Sequence, residues 1–293
     1  MDVASLLGSA IRRLEARAGG RADARLEAEV LLAHVLGASR ASLLGRGAVS
    51  PAEATRFEAL VTERRETGRP VAYQVGRRAF HDLELEVTEG VLVPRPETEH
   101  VVEALVALAA LPLAHGLPEG PVVDRGTGSG AIALALAGPE GCPGRRPMIG
   151  LERSGRALEV ARRNVAASGR RVPLVQGDGL AAFRSASLAA VVANPPYVSA
   201  AEFERLPDDV RLHEPREALV PDEGSVAAVY TRLGREALRV LRPGGWLVSE
   251  VGAGQAADVC ALLDQIGFQT TRSVQDLAGH ERVVLGRKPG DRA

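Results

Sequence analysis

Residues 122–133 read VVDRGTGSGAIA, an apolar run that passes through a glycine-rich turn into a second apolar run. This order predicts a strand over residues 122–125, a tight turn and the start of a helix. Glycines permit the turn and let a ligand approach the backbone, while the unpaired N–H groups at the start of the helix point at that ligand. The stretch therefore predicts a strand–turn–helix unit with a ligand site at the turn.

Short apolar segments alternate with longer amphipathic segments through the C-terminal two thirds of the chain. Strands are predicted at 122–125, 148–151, 172–176, 188–193, 246–251, 268–271 and 282–286. Helices are predicted between most of them, including 154–168 and 226–241. Such alternation is typical of a doubly wound α/β sheet. Because Pro173 cannot donate a hydrogen bond to a neighbouring strand, we expect its strand to lie at an edge of the sheet.

The N-terminal part predicts a small helical bundle instead. Apolar residues recur with helical spacing over residues 3–14, and a second helix is predicted over 22–36. A third helix begins at Ser50, which is spaced with Glu53 as a capping box.

A β-hairpin is predicted after the bundle. Residues 83–87 alternate apolar and charged side chains, and residues 91–93 form a second apolar run beyond a Glu89-Gly90 turn. The predicted domains are therefore a helical bundle at 1–70, a linking β-hairpin at 71–93 and an α/β domain at 94–293.

The composition argues against several classes of protein, including strongly basic nucleic-acid-binding proteins and membrane-spanning proteins. The 293 residues carry a formal net charge of −1, which argues against a strongly basic surface for nucleic acid. Cys142 and Cys260 are too few for a disulfide framework and are expected to be free thiols. The histidines form no ligand-spaced cluster, so no metal site is expected. No signal-peptide pattern and no run of about 18 apolar residues is found, which predicts a cytoplasmic protein without a membrane span.

The glycine-rich turn alone does not identify its ligand. Its GxGxG spacing also fits a dinucleotide frame when Ala131 takes the third glycine position. Asp124 closes the first strand, and a carboxylate there favours S-adenosylmethionine, because the ammonium group of that cofactor needs an acceptor. The candidate cofactor residues of this segment are Asp124, Gly126, Thr127, Gly128, Ser129 and Gly130.

Two further strand ends carry carboxylates. Glu152 follows the second strand and can accept hydrogen bonds from both ribose hydroxyls of a bound nucleoside. Asp178, followed by Gly179, closes the third strand, where it can accept a hydrogen bond from the adenine amine. Because ligands of such folds sit at the carboxyl ends of parallel strands, we expect Asp124, Glu152 and Asp178 to border one site.

The fourth strand runs into Asn194-Pro195-Pro196-Tyr197, the most specific signal in the chain. An amide or aromatic-amine nitrogen is a poor nucleophile because its lone pair is delocalised, so it must be aimed at a methyl sulfonium. The Asn194 side-chain oxygen and the Pro195 carbonyl can each accept one N–H of a planar amino group. The prolines stiffen the loop, and Tyr197 can stack against the planar group. The motif therefore predicts N-methylation.

Nearly the whole chain resembles the HemK/PrmC family of release-factor glutamine N5-methyltransferases. Beyond the motifs above, the resemblance rests on residues 94–99 (PRPETE), 24–32 (ARLEAEVLL) and 68–73 (GRPVAY). The Asn-Pro-Pro-Tyr motif by itself is shared with adenine-N6 methyltransferases of DNA, whereas the PRPETE segment and the helical N-terminus favour a protein substrate. The resemblance implies a class I methyltransferase-like (Rossmann-like) sheet of seven strands.

The resemblance also implies roles for individual residues. Residues 126–130 and Glu152 would bind S-adenosylmethionine, and Asp178 and Gly179 would border its adenine. Residues 194–197 would hold the substrate glutamine, with Asn194 also bordering the cofactor. That glutamine lies in the Gly-Gly-Gln loop of class I peptide release factors, which the N-terminal helices would dock.

Two positions depart from the family pattern. Arg125 stands where an apolar residue is usual, so it either pairs with a nearby carboxylate or disturbs cofactor binding. Glu152 stands where aspartate is commoner, and it is one methylene longer but chemically equivalent.

The sequence leaves three other functions open. The first is methylation of a ribosomal-protein glutamine. The second is adenine-N6 methylation of nucleic acid, which would need a basic groove and a target-recognition region. The third is a non-catalytic binding module, and the intact motif at 194–197 argues against it.

Overall fold

The computed structural model describes residues 1–17, 19–113, 115–139, 141, 146–222, 224–276 and 278–290. Its helices are α1 (Val3–Leu14), α2 (Arg21–Leu36), α3 (Pro51–Thr67), α4 (Val71–Val75), α5 (Glu99–Ala109), α6 (Ala131–Leu136), α7 (Gly155–Ser168), α8 (Ala200–Phe203), α9 (Asp208–His213), α10 (Arg216–Leu219), α11 (Val226–Val240) and α12 (Ala256–Ile266). Its strands are β1 (Arg77–Phe80), β2 (Leu83–Glu86), β3 (Val122–Arg125), β4 (Met148–Glu152), β5 (Leu174–Gln176), β6 (Leu188–Ala193), β7 (Leu241–Glu250), β8 (Gln269–Gln275) and β9 (Glu281–Arg287).

The chain divides into two compact units. The helical unit comprises Met1–Arg77 and Leu206–His213, and the sheet unit comprises Arg78–Arg205 and Glu214–Ala293. The helical unit therefore continues beyond residue 70, where the predicted bundle ended, and it includes α9, which lies within the predicted α/β domain.

The sheet unit is built on a seven-stranded sheet with the order β5-β4-β3-β6-β7-β9-β8 in the described residues. The strands from β5 to β7 run parallel, whereas β9 is antiparallel to both β7 and β8. The predicted seven-stranded α/β sheet is confirmed, and β5, which Pro173 directly precedes, lies at an edge as expected. The chain leaves β3 toward β4 and returns on its other side at β6, so ligands are expected at the carboxyl end of β3.

Alternate residues of the central strands belong to two apolar cores. Val122 of β3 lies in a core that includes residues of α5 and α6, while Val123 lies in a core that includes residues of α11 and α12. All four residues of β3 are buried. Burial on both faces explains why the strand reads as an apolar run rather than an alternating one.

The helical unit packs α1, α2 and α3 around side chains that include Leu14, Leu31 and Phe57, all fully buried. The predicted capping box is present at the start of α3. Glu53 N donates to Ser50 Oγ at 3.3 Å, and Ser50 N donates to the Glu53 carboxylate at 2.8 Å. These two bonds satisfy backbone donors that the first turn of a helix leaves unpaired.

A β-hairpin lies within residues 71–93 as predicted, but the predicted pairing of 83–87 with 91–93 is wrong. The structure pairs β1 with β2 around His81 and Asp82, and His81 adopts a φ of 54°. Residues 91–93 form no strand, because Val93 N donates to the side chain of Glu214 at 3.2 Å rather than to a partner strand. The apolar run reflects burial, since Val91 and Val93 are both buried.

Arg64 is a buried cation of the helical unit and supports a stability prediction. Its guanidinium is 3% exposed and donates to Glu27 at 2.6 Å and to Asp209 of α9 at 3.1 Å. Arg64→Ala leaves both carboxylates without this partner, so we expect the free energy of unfolding to fall by about 3–5 kcal/mol. Urea unfolding followed by circular dichroism measures the change.

Arg65→Ala is the matched control, because the Arg65 side chain is 47% exposed and pairs with Glu66 at the surface. We expect this variant to lie within about 1 kcal/mol of the wild type. Equal losses in the two variants would show that the buried ion pairs add nothing to stability.

Candidate active site

The glycine-rich turn is held against the neighbouring strand by backbone hydrogen bonds. The amides of Gly126 and Thr127 both donate to Leu151 O, at 2.8 and 3.0 Å. Gly126 and Gly128 adopt φ values of 75° and 56°, which favour glycine. A Cβ atom at Gly126 would meet no protein atom within 4 Å. The turn thus leaves its backbone open to a ligand.

Asp124 is buried beneath this turn. Its Oδ2 atom accepts hydrogen bonds from Thr127 Oγ1 at 2.5 Å and from the amide of Ala133 in α6 at 3.1 Å. The side chain does not line the cavity that the turn borders. The carboxylate ties the turn to α6 through Oδ2, and its predicted role as acceptor for the cofactor ammonium stays a prediction.

The burial of Asp124 leads to a pH prediction. Burial raises the pKa of Asp124 from 3.8 to about 7, although its hydrogen bonds oppose the shift. The folded state therefore binds this proton more tightly than the unfolded chain, so the contribution of Asp124 to stability is full below about pH 4 and is lost as the pH rises to about 7.

The Asp124→Asn variant cannot titrate, so its free energy of unfolding should decline less across this pH window than that of the wild type. Urea unfolding at several pH values measures both curves. Parallel curves would contradict a raised pKa at Asp124.

Glu152 connects the end of β4 to the glycine-rich turn. Its Oε2 atom accepts a hydrogen bond from Gly128 N at 2.9 Å, and its Oε1 atom accepts one from Ser154 N at 2.8 Å. Each carboxylate oxygen can accept a further hydrogen bond. Since Glu152 also lines the cavity, it is placed both to hold the turn and to accept hydrogen bonds from a ligand.

Asp178 lies beyond the end of β5 and pairs with Arg232 of α11. The two guanidinium contacts measure 3.2 and 3.3 Å. The hydrogen bond from Arg232 lowers the pKa of Asp178, with further help from the charge of Arg125. Asp178 is therefore an ionised residue at the edge of the cavity, and part of its acceptor capacity is already used.

Arg125 and Gly179 both lie beside the carboxylate of Glu236, a residue one turn after Arg232 on α11. Arg125 is 8% exposed, and its Nε atom lies 4.0 Å from Glu236 Oε2. The same carboxylate oxygen accepts a hydrogen bond from Leu180 N at 3.0 Å. A Cβ atom at Gly179 would lie 2.6 Å from Glu236 Oε1. Of the two outcomes that the sequence left open, the structure places Arg125 beside a carboxylate.

The loop after β6 has its four residues in different surroundings. Asn194 and Pro196 line the cavity, whereas Pro195 is buried beside it. Tyr197 Oη donates to Glu250 Oε1 at 3.0 Å. Burial, with the nearby Glu250 carboxylate, raises the pKa of Tyr197 well above its usual value. The Tyr197 ring is partly buried against a core of the sheet unit and does not line the cavity, and its stacking on the substrate stays a prediction.

Four site residues were not singled out from the sequence. Thr98 accepts a hydrogen bond from Asn194 Nδ2 at 3.1 Å, and Glu250 binds Tyr197. Arg95 lines the cavity and pairs with the buried carboxylate of Glu214. Three of them had a signal in the sequence, because Arg95 and Thr98 lie in the PRPETE segment and Glu250 closes a central strand.

Most of the predicted site residues therefore line one cavity. Of the predicted site residues, it is lined by Gly126, Thr127, Gly128, Ser129, Glu152, Asp178, Gly179, Asn194 and Pro196. Four predicted residues, Asp124, Gly130, Pro195 and Tyr197, do not line it.

Other predicted features concern the rest of the chain. Cys260 is a half-buried free thiol, and Cys142 lies outside the described residues. Across the described ranges, His, Cys, Asp and Glu form no group suited to a metal ion. No helix in the described part of the chain is long and apolar enough to cross a membrane.

The fold and the site define a class I methyltransferase. Residues 104–232 match the family described as "Methyltransferase small domain". The crystal structure of a methyltransferase from Pyrococcus furiosus has the same fold at 16% sequence identity, with a TM-score of 0.50 over 80% of this chain and 99% of that chain. The predicted class is confirmed.

The N-terminal unit and the full-length relatives identify the family. Residues 5–76 match the "PrmC N-terminal domain". A release factor glutamine methyltransferase from Xylella fastidiosa is 38% identical over 292 residues, covering 98% of each chain. Another from Moorella thermoacetica is 41% identical over 290 residues, covering 97% of this chain and 98% of that one. The chain belongs to the release factor glutamine methyltransferase family.

Proposed function

We propose that the protein transfers a methyl group from S-adenosylmethionine to the side-chain amide nitrogen of the glutamine in the Gly-Gly-Gln motif of class I peptide release factors. The observation that carries the proposal is the orientation of Asn194. Its Nδ2 atom is engaged by Thr98, so its Oδ1 atom is the atom left to meet an amide N–H in the cavity. The full-length similarity to release factor glutamine methyltransferases supports this choice of substrate.

The cavity fits S-adenosylmethionine. The backbone at Gly126 and Gly128 is open to close approach, and Glu152 keeps acceptor capacity for the ribose hydroxyls. Asp178 and Gly179 line the part of the cavity where we place the adenine. When bound, the cofactor supplies an electrophilic methyl group on a sulfonium.

The protein's own residues would orient the nucleophile. Asn194 Oδ1 would accept one N–H of the substrate amide, and the backbone carbonyl of Pro195, between the cavity-lining Asn194 and Pro196, would accept the other. Two acceptors in fixed positions aim the nitrogen lone pair and favour the partial positive charge that develops on nitrogen. No strong general base is required, because the nitrogen becomes acidic once it is methylated and the adjacent acceptors can pass its proton to water.

Each predicted domain would have a separate role. The helical bundle predicted at 1–70 docks the release factor, the segment at 71–93 links it to the enzyme, and residues from 94 onward perform catalysis. We place the reaction in the cytoplasm, with no direct contact to nucleic acid.

A methyl-transfer assay tests this function. The purified protein is incubated with S-adenosylmethionine and a class I release factor, and the Gly-Gly-Gln peptide is analysed by mass spectrometry. A gain of one methyl on the glutamine is the expected result. A release factor with this glutamine replaced by alanine is the matched control. Transfer to a ribosomal protein or to DNA, but not to the release factor, would replace the proposal by one of the two alternatives.

A further inference from the structure

Two buried residues outside the Asn194-Pro195-Pro196-Tyr197 motif contact its two ends. Thr98 is 5% exposed and accepts the hydrogen bond from Asn194 Nδ2 at 3.1 Å. Glu250 is 1% exposed and accepts the hydrogen bond from Tyr197 Oη at 3.0 Å. Thr98 is separated from Asn194 by 96 residues, and Glu250 is separated from Tyr197 by 53. The motif is thus held by partners that only the folded sheet unit brings to it.

Both partners have the chemistry for this task. A hydroxyl carries two lone pairs that can accept, and one of those of Thr98 meets the Asn194 N–H. Burial raises the pKa of Glu250, and the hydrogen bond from Tyr197 opposes that shift.

The hydrogen bond from Nδ2 to Thr98 Oγ1 belongs to one of two orientations of the Asn194 amide. Rotation by half a turn would place Oδ1 against Thr98 and Nδ2 toward the cavity. The rotated amide would offer a donor to a substrate N–H, which is also a donor. Only the observed orientation provides the acceptor that methyl transfer to an amide requires.

We infer that Thr98 and Glu250 are positioning residues, which keep the Asn194 side-chain oxygen directed at the substrate nitrogen. The inference rests on the proposed glutamine methylation. Neither residue needs to touch the cofactor or the reacting atoms. Thr98 acts on Asn194 directly, and Glu250 acts through the Tyr197 hydroxyl at the other end of the motif.

A pair of substitutions at one position tests the inference. Thr98→Val keeps the shape of the side chain but removes the acceptor, whereas Thr98→Ser keeps the hydroxyl. We expect Thr98→Val to lower kcat by about 10²-fold, with KM for the release factor and Kd for S-adenosylmethionine unchanged. Thr98→Ser should stay within a few-fold of the wild type. Similar kcat values for the two variants would overturn the inference.

A second measurement needs no substrate and separates this inference from the proposed function. The side-chain amide protons of Asn194, identified by their loss in Asn194→Ala, are followed by NMR. They should shift and broaden in Thr98→Val but not in Thr98→Ser. Unchanged signals in Thr98→Val would overturn the inference even if methylation were slow. Failure of the wild type to methylate a release factor would instead refute the proposed function.

Tyr197→Phe provides an independent test through Glu250, should Thr98→Val fold poorly. The variant removes only the hydroxyl that donates to Glu250. We expect kcat to fall by about 10-fold, again with unchanged cofactor Kd, because the Tyr197 end of the motif loses its hydrogen bond to Glu250. A wild-type kcat in Tyr197→Phe would remove Glu250 from the positioning network.

Discussion

Replacing Asn194 with alanine should lower kcat for release-factor methylation by about 10³-fold while leaving the affinity for S-adenosylmethionine unchanged. The variant loses the Oδ1 acceptor that aligns the substrate nitrogen, and single preorganised groups of this kind contribute about 10²–10³-fold to kcat. Asn194 makes its hydrogen bond to Thr98 rather than to the glycine-rich turn, so the cofactor contacts should persist. Single-turnover kinetics and calorimetric titration measure the two quantities separately.

Asn194→Asp refines this prediction. Aspartate retains an oxygen for the substrate but replaces the N–H that Thr98 accepts, so its activity should fall between those of the wild type and the alanine variant. If Asn194→Ala turned over within 10-fold of the wild type, the assigned role of Asn194 would be wrong.

Replacing Glu152 with alanine should have the largest effect on cofactor binding. The wild-type carboxylate accepts hydrogen bonds from Gly128 N at 2.9 Å and Ser154 N at 2.8 Å, and it faces the cavity. The variant loses acceptors for the ribose hydroxyls and leaves the Gly128 amide without its partner. Losing two hydrogen bonds to a charged group corresponds to about 3 kcal/mol or more, so Kd should rise by about 10²-fold.

Glu159→Ala is the control for the loss of one negative charge. Glu159 is an exposed residue of α7, the helix that follows Glu152 in the chain. Its Kd for S-adenosylmethionine should match that of the wild type. An unchanged Kd in Glu152→Ala, measured by calorimetry, would refute the cofactor role of Glu152. A lowered kcat with an unchanged Kd would indicate that Glu152 only holds the glycine-rich turn in place.

Features that depend on neighbouring residues were predictable from the sequence. The capping box of Ser50 and Glu53, the alternation of strands and helices and the turn after Val122–Arg125 all follow from spacings of a few residues. The second strand of the hairpin was misplaced because the prediction also relied on neighbouring residues alone. Glu89-Gly90 is a strong local turn signal and His81-Asp82 is a weak one, but the partner of Val93 N is Glu214, which lies 121 residues away.

The direction of each strand-end carboxylate was not predictable in this way. Asp124, Glu152 and Asp178 each follow a strand as expected, yet Asp124 points beneath the turn, Glu152 faces the cavity and Asp178 pairs with Arg232. Spacing identifies which residues come to the carboxyl edge of the sheet. Which of them a ligand can reach depends on how α6 and α11 pack beside that edge.

The sequence by itself determined the fold class, the family and the two motifs that border the cavity, because periodicity, glycine spacing and the run from Asn194 to Tyr197 are properties of short segments. Only the tertiary structure decided how those motifs are held. Thr98 comes from the segment before α5 and Glu250 from the end of β7, and they meet Asn194 and Tyr197 at the end of β6. The orientation of one amide group depends on hydrogen bonds between residues that are distant in the chain, and these form only when the sheet assembles.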